Sequence, residues 1–196
     1  MIAVNTDIGR SSMIQNDTES FSNSEDAVQF IFNSNKCYEL LPNSCKVVVF
    51  ESAISFQLAF YALVEHDGEV APIWDPVRKT FLGLMTTTDF IESLRLCNLQ
   101  GIPPYDLASR SISEMLQVPK PDVIIKHNNF VSVDAESSVF QMCCLLYNMN
   151  TDYLPIVDTV ENNIVGVLGY LDALYLLAHC AQQYPQVATM TVGELS

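Results

Sequence analysis

A duplicated stretch constrains the fold more than any other feature of this sequence. Residues 71–90 read APIWDPVRKTFLGLMTTTDF, and residues 154–173 read LPIVDTVENNIVGVLGYLDA. Four residues recur with the same spacing of 83 positions: Pro72 and Pro155, Asp75 and Asp158, Gly83 and Gly166, Asp89 and Asp172. A constant spacing without a gap indicates an internal repeat, so we expect both copies to form the same structural unit.

Each copy predicts two short strands followed by a helix. In the first copy, the apolar residues at 70–74 and 81–86 have the length and composition of strands, and 76–80 supplies the turn. Asp89 stands just before an apolar helical stretch. A carboxylate at that place accepts hydrogen bonds from the first helical N–H groups, so we expect Asp89 to be an N-cap.

A further strand and helix precede each copy. Residues 47–50 and 54–64 form this pair before the first copy, and residues 130–133 and 139–149 form it before the second. The helical stretches are apolar on more than one face, which is typical of helices packed against a sheet and a neighbouring helix. The full unit is therefore β-α-β-β-α, present twice, in a mixed α/β (α+β) chain.

Composition and proline positions divide the chain into five segments. These are a disordered tail over 1–26, an N-terminal helix and the first repeat over 27–99, a linker over 100–121, the second repeat over 122–184, and a C-terminal extension over 185–196. The content of 49% hydrophobic and 16% charged residues is that of a globular chain. Without a signal-peptide pattern or a long apolar run, we expect a cytoplasmic or nuclear protein that is not bound to membrane.

The six cysteines and three histidines predict no metal or catalytic site. No cysteines form a C-x-x-C pair, and the histidines are scattered along the chain. Reduced thiols are therefore expected instead of a zinc site or a disulfide framework. Since no second titrating group or nucleophile accompanies either helix-start aspartate, we expect no enzymatic activity and no cofactor.

The repeated unit resembles the cystathionine-β-synthase (CBS) repeat, two of which pack as one Bateman module. The resemblance rests on the proline before the second strand, the aspartate at the end of a strand and the G-x-x-T-x-x-D run that ends at Asp89. More narrowly, WDPVRKTFLGLMTTTDF and the upstream VQFIFNSNKCYELLPNSCKVVVFESA are similar to the first module of the γ regulatory subunits of AMP-activated protein kinase. The resemblance covers about 27–196, and the 185–196 extension is similar to a connection towards a second module.

The resemblance implies a non-catalytic regulatory role and a set of ligand residues. Partners would be the catalytic (α) and β subunits of the kinase, with residues 40–50 as a docking edge. Adenine nucleotides (AMP, ADP or ATP) or adenosine would bind in clefts between the repeats, with a carboxylate accepting hydrogen bonds from ribose hydroxyls. The implied contacts are Asp89 for ribose, Thr86, Thr87 and Thr88 for phosphate at the helix N-terminus, the strand residues Val70, Ala71 and Pro72, and Asp172 in the second copy.

Several positions depart from the family pattern in a way that weakens phosphate binding. Where the resemblance implies basic side chains, this chain has Glu69, Asp152, Tyr153 and Leu171, and Asp172 stands where an arginine is implied. Each lost charge-assisted contact costs about 1.5–3 kcal/mol, and ~1.4 kcal/mol is one decade of affinity. Two or three losses, with added repulsion, remove about three to six decades. The formal net charge of −14 also disfavours nucleic acid and anionic membranes.

An alternative interpretation needs neither kinase nor nucleotide. A CBS pair can serve as a self-standing scaffold that dimerises through its helices. The apolar stretches 90–99 and 171–177 would suit a homodimer as well as a kinase complex. Recovery of a stable complex with the β subunit would separate the two interpretations.

Overall fold

The computed structural model describes residues 4–6, 24–42, 45–117, 130–161, 163–181, 183–184 and 187. Within these ranges the strands are β1 Val4–Thr6, β2 Cys45–Val47, β3 Phe50–Glu51, β4 Val70–Asp75, β5 Thr80–Thr86, β6 Val133–Asp134, β7 Tyr153–Asp158 and β8 Asn163–Gly169. The helices are α1 Ser24–Ser34, α2 Cys37–Leu40, α3 Phe56–Glu65, α4 Thr87–Leu99, α5 Pro104–Ser109, α6 Ile112–Gln117, α7 Val139–Asn148 and α8 Tyr170–Cys180. None of these helices combines the length and apolar character that crossing a bilayer requires.

The chain divides into two compact units, each built on one copy of the repeat. Unit 1 comprises Met1–Asn5 and Lys46–Val131, and unit 2 comprises Thr6–Cys45 and Ser132–Ser196. The element order is β3-α3-β4-β5-α4 in unit 1 and β6-α7-β7-β8-α8 in unit 2. The predicted β-α-β-β-α unit and the mixed α/β class are therefore confirmed.

The two three-stranded sheets have the same topology and the same register. In unit 1, β4 lies between β3, its parallel neighbour, and β5, its antiparallel neighbour. The strands β6, β7 and β8 repeat this order in unit 2. Every paired position recurs 83 residues later, including the bulge that follows Ile73 in unit 1 and Ile156 in unit 2. The duplication seen in the sequence is thus a duplication of hydrogen-bond register.

The first strand of each repeat is shorter than predicted. Residues 47–50 and 130–133 were expected to form strands, whereas β3 and β6 contain two residues each. Pro72 and Pro155 lie in the central strands β4 and β7 and have no N–H to donate to a neighbouring strand. The parallel pairing accordingly starts one residue after each proline.

The helix ends follow local capping signals. Ser55 caps α3 and Ser138, its equivalent in unit 2, caps α7, within two residues of the predicted starts. After α4, Gly101 has a φ of 67°, which favours glycine and ends the helix at the predicted break. The linker contains two short helices, α5 and α6, and Arg110 adopts an extended conformation between them.

A short linker segment docks on unit 1. The segment 110–113 forms backbone hydrogen bonds with the loop that leads from β3 into α3. They run from Phe56 N to Arg110 O at 2.8 Å, from Ile112 N to Ile54 O at 3.0 Å and from Ser113 N to Ser52 O at 2.8 Å. Ile112 is fully buried in the core of this unit. We call 110–113 the unit 1 docking segment.

The N-terminal segment docks on unit 2 in the same manner. The corresponding bonds run from Val139 N to Asn35 O at 3.0 Å, from Cys37 N to Ser137 O at 2.9 Å and from Tyr38 N to Ala135 O at 3.0 Å. Helix α1 packs against α7 and α8. The N-terminal helix was predicted to accompany the first repeat in segment 27–99, so this grouping is wrong: 35–38, the unit 2 docking segment, ties the helix to the second copy.

The remaining segment boundaries differ at the N-terminus. Helix α1 begins at Ser24, inside the predicted tail, and β1 pairs with β2 in a two-stranded sheet. The strand β2 lies in the 40–50 region, so one edge of this predicted docking surface is covered by the chain's own strand. The other residues of the tail, and most of the 185–196 extension, lie outside the described residues.

Candidate functional site

Seven of the predicted site residues meet where β5 runs into α4. Thr86 is the last residue of β5, and Thr87 and Thr88 begin the helix. The strand β4 lies alongside, and Val70 pairs directly with Thr86. The backbones of residues 70–72 and 86–89 therefore form one edge of unit 1, whereas Asp172 lies at the equivalent place in unit 2.

The carboxylate of Asp89 belongs to a capping box, in which the N-cap and the third helical residue satisfy each other's backbone N–H groups. Asp89 Oδ2 accepts hydrogen bonds from the backbone N and the hydroxyl Oγ1 of Thr86, both at 2.8 Å. In return, the backbone N of Asp89 donates to Thr86 Oγ1 at 3.2 Å. Thr86 is therefore the N-cap, and the prediction that Asp89 is the N-cap is wrong by three positions. The T-x-x-D spacing, a variant of the S/T-x-x-E capping box, was the sequence signal for this arrangement.

This local bonding restricts what the edge can offer to a ligand. Both Thr86 and Asp89 are buried, with relative exposures of 5% and 6%. The hydroxyl proton of Thr86 is directed to Asp89, and the backbone N of Thr87 donates to the carbonyl oxygen of Glu69 at 3.0 Å. Two of the groups expected to face phosphate are thus engaged within the protein, while the side chains of Thr87 and Thr88 are exposed.

The equivalent edge in unit 2 keeps the carboxylate and loses the hydroxyls. Asp172 Oδ2 accepts from the backbone N of Gly169 at 2.7 Å, as Asp89 does from Thr86. Gly169 has no side chain with which to complete the reciprocal bond. Exposed Tyr170 and Leu171 replace Thr87 and Thr88. The first copy therefore offers more side-chain hydroxyls at this edge than the second.

Basic groups are scarce and partly neutralised. Within the described residues, ion pairs join Arg78 to Asp75 (3.7 Å), Arg95 to Glu92 and Lys36 to Glu136. No basic residue occurs in the stretches 69–72 and 86–89, and the exposed Glu69 immediately precedes β4. The edge of unit 1 is therefore anionic. Among the described residues, no group of three or more His, Cys, Asp or Glu side chains could hold a metal ion.

The aromatic residues near β4 pack on one another. The ring of Trp74 contacts Phe81 edge-on at a centroid distance of 4.9 Å, and Phe81 stacks on Phe130 at 4.6 Å. All three side chains are half-buried. Trp74 and Phe81 thus pack against each other at this edge of the sheet.

Comparison with curated proteins identifies kinase subunits as relatives, although no family model matches the chain. The chain is 28% identical over 142 residues to 5′-AMP-activated protein kinase subunit gamma-3 from Homo sapiens, covering 72% of this chain and 28% of that protein. It is also 28% identical over 187 residues to the gamma subunit from Dictyostelium discoideum, covering 89% of this chain and 30% of that protein. The chain spans less than a third of the length of these curated relatives.

Solved structures of CBS proteins share the fold. A CBS domain of a membrane protein from Sphaerobacter thermophilus matches with a TM-score of 0.55 and 17% identity, covering 78% of this chain and 93% of that structure. A CBS domain protein from Pyrobaculum aerophilum, complexed with AMP, matches with a TM-score of 0.54 and 13% identity, covering 80% and 100%. The chain therefore has the fold of CBS-domain proteins, and its sequence resembles the γ subunits of AMP-activated protein kinase.

Proposed function

We propose that this chain is a non-catalytic regulatory CBS pair that works with the catalytic (α) and β subunits of a kinase of the AMP-activated type. The similarity to two gamma subunits of that kinase, over most of this chain, supports the assignment. The observation that carries it is the duplicated register with a capping carboxylate, Asp89 or Asp172, at the same place in each copy. A role inside the cell, in cytoplasm or nucleus, goes with such a partner.

The ligand that fits this proposal is an adenine nucleotide bound weakly at the edge of unit 1. Asp89 would accept hydrogen bonds from ribose, and the exposed hydroxyls of Thr87 and Thr88 would face phosphate. A structural neighbour complexed with AMP supports the choice of an adenine ligand. The anionic Glu69 and the engaged Thr86 hydroxyl lower the affinity for AMP, ADP and ATP more than for uncharged adenosine.

Calorimetric titration with AMP and adenosine tests this ligand assignment. The variant Glu69→Arg restores one basic group, worth about 1.5–3 kcal/mol, so we expect AMP to bind about 10- to 100-fold more tightly and adenosine to be unaffected. Glu65→Arg, at another exposed carboxylate of unit 1, is the control for overall charge. If neither ligand binds at millimolar concentration in any variant, or if both variants act alike, the nucleotide assignment fails.

Co-expression with α and β subunits tests the partner assignment separately. We expect the three chains to co-purify as one complex at equal stoichiometry. Since β1 covers one edge of β2, a chain lacking residues 1–23 should form this complex at least as well as the full chain. Absence of any complex with either chain would contradict the proposed partnership and leave the ligand test unaffected.

A self-standing dimer is the second candidate, because large apolar side chains are exposed on two helices. They are Ile91, Leu94 and Leu99 on α4, with exposures of 66%, 49% and 67%, and Leu171, Leu174 and Tyr175 on α8, with 60%, 58% and 71%. Phe90, which was expected on the same face, is buried in the core. Analytical ultracentrifugation of the chain and of Leu94→Lys tests this candidate, which requires a dimer that the substitution dissociates.

A further inference from the structure

We propose that Tyr153 blocks ligand binding in the second repeat, at the place where β8 runs into α8. The chain then holds one site for an adenine ligand, at the start of α4. This inference rests on the proposed ligand function of unit 1 and adds a residue that determines which copy can bind. The evidence comes from comparing two pairs of residues that occupy the same register positions. They are Val70 opposite Thr86 in unit 1 and Tyr153 opposite Gly169 in unit 2.

The ring of Tyr153 lies directly over the backbone of Gly169. A Cβ atom added to Gly169 would lie 3.2 Å from Cδ1 and 3.4 Å from Cε1 of that ring. It would also lie 2.7 Å from the carbonyl oxygen of Asp152, closer than side-chain carbons approach other atoms. Because neither a rigid ring nor a backbone oxygen can move away cheaply, a side chain such as the threonine of unit 1 does not fit at position 169.

The beginning of β7 holds Tyr153 in this position. The buried hydroxyl of Thr151 donates to the carbonyl oxygen of Tyr153 at 3.1 Å. Unit 1 has Gly68 at the place of Thr151, so this hydrogen bond belongs to unit 2 alone. The next residue, Leu154, is fully buried and anchors the strand. An aromatic ring packed across from a glycine is a recurrent stabilising arrangement in paired strands.

The chemical consequence is an edge with fewer small polar side chains. Where unit 1 has the exposed hydroxyls of Thr87 and Thr88, unit 2 has Tyr170 and Leu171, with the Tyr153 ring beside Gly169. A ribose phosphate placed there would lose hydrogen bonds to water without gaining equivalent ones. Asp172 remains as the third residue of its helix, where it accepts from Gly169 N, and we assign it a capping role only.

Two charge reversals identify which copy holds the ligand. Glu69→Arg marks unit 1, and Asp152→Arg, at the equivalent exposed position, marks unit 2. In calorimetric titrations with AMP, we expect one ligand per chain, at least tenfold tighter binding in Glu69→Arg, and unchanged binding in Asp152→Arg. Two ligands per chain, or an equal gain in Asp152→Arg, would overturn the inference.

A graft and a mutant cycle test Tyr153 itself. Combining Tyr153→Val with Gly169→Thr, Tyr170→Thr and Leu171→Thr copies the unit 1 edge into unit 2, and should make AMP binding respond to Asp152→Arg. Without any ligand, Gly169→Ala should lower the Tm by roughly 3–8 °C, and by less in the Tyr153→Val background, which removes the ring contact and leaves the contact with the Asp152 carbonyl oxygen. Additive Tm shifts would overturn the inference about Tyr153, whether or not the wild-type chain binds a ligand. Absence of ligand binding by the wild-type chain would by itself refute only the proposed function.

Discussion

Replacing Thr86 by alanine should destabilise unit 1 through a single hydroxyl group. The substitution leaves the backbone N of Thr86 bonded to Asp89 and removes both bonds of Oγ1, one to the Asp89 carboxylate at 2.8 Å and one from the Asp89 backbone N at 3.2 Å. Since both residues are buried, water cannot replace the lost partner without rearrangement. The carboxylate therefore loses one of its donors.

The magnitude follows from these two bonds. Loss of an N-cap costs about 1 kcal/mol, and a hydrogen bond to a charged group contributes about 1.5–3 kcal/mol. We expect a loss of about 2–4 kcal/mol in the free energy of unfolding for Thr86→Ala. Thr86→Ser retains the hydroxyl and loses only the methyl group, about 0.8 kcal/mol, so the difference between the two variants isolates the hydroxyl.

Urea unfolding followed by tryptophan fluorescence measures this difference. Trp74 is the single tryptophan of the chain and lies in β4 of unit 1, half-buried against Phe81. With an m-value of about 2 kcal/mol/M, the midpoint for Thr86→Ala should fall by about 1–2 M. Ser138→Ala, which removes a cap that has no buried carboxylate partner, should cost only about 1 kcal/mol.

Equal stability of the two variants would contradict this prediction. If Thr86→Ala and Thr86→Ser differ by less than about 0.5 kcal/mol, the hydroxyl does not hold the buried carboxylate. The same result would imply that Asp89 has other donors strong enough to compensate. In that case the capping box would not account for the burial of Asp89.

Three further outcomes are expected. Gly101→Ala should cost about 1 kcal/mol in urea unfolding, since φ is 67° and a Cβ there meets nothing within 4 Å, so that strain alone acts. Ile112→Ala should cost about 2–4 kcal/mol, whereas exposed Ile91→Ala should stay within about 0.5 kcal/mol; similar losses would show that the unit 1 docking segment is not part of the core. Burial raises the pKa of Cys37 from 9.0 to about 11, so folding favours the protonated thiol, and the stability this adds is complete below pH 9.0 and lost as the pH rises to about 11. In urea unfolding at a series of pH values, Cys37→Ala should reduce the loss of stability between pH 9.0 and about 11. An unchanged loss in this variant would contradict the assignment to Cys37.

The sequence predicted the repeat unit well because its signals are local. The strand-turn-strand pattern and the glycine and proline breaks depend on neighbouring residues, and the observed β4 and β5 lie within one residue of their predicted bounds. The two-residue length of β3 could not be read from Val47, Val48 and Val49, although all three favour strands. It depends on Pro72, which is distant in sequence and interrupts the pairing from the other side.

The candidate site was predicted less completely, and for a different reason. The residue types at 86–89 placed the predicted site at the start of α4, but the helix was expected to start after Asp89 and starts at Thr87. That shift changes the chemistry, because it turns the Asp89 carboxylate from the first acceptor of the helix into a buried partner of Thr86. Placement of Tyr153 over Gly169 depends on cross-strand register, which residue types alone do not fix.

The docking segments show why repeat boundaries in the sequence are not the boundaries of the folded units. Each repeat leaves the loop before its first helix with backbone groups that need partners, and each loop receives them from a segment that precedes the other repeat in the chain. Leu41, next to the unit 2 docking segment, packs so closely on Gly166 that a Cβ there would lie 2.2 Å from its Cδ2. A side chain at position 166 would thus require Leu41, a residue that precedes both repeats, to move. A fragment beginning at residue 122 would contain the second repeat and lack α1, α2 and this contact, so the second repeat depends on the N-terminal segment for its core as well as for its hydrogen bonds.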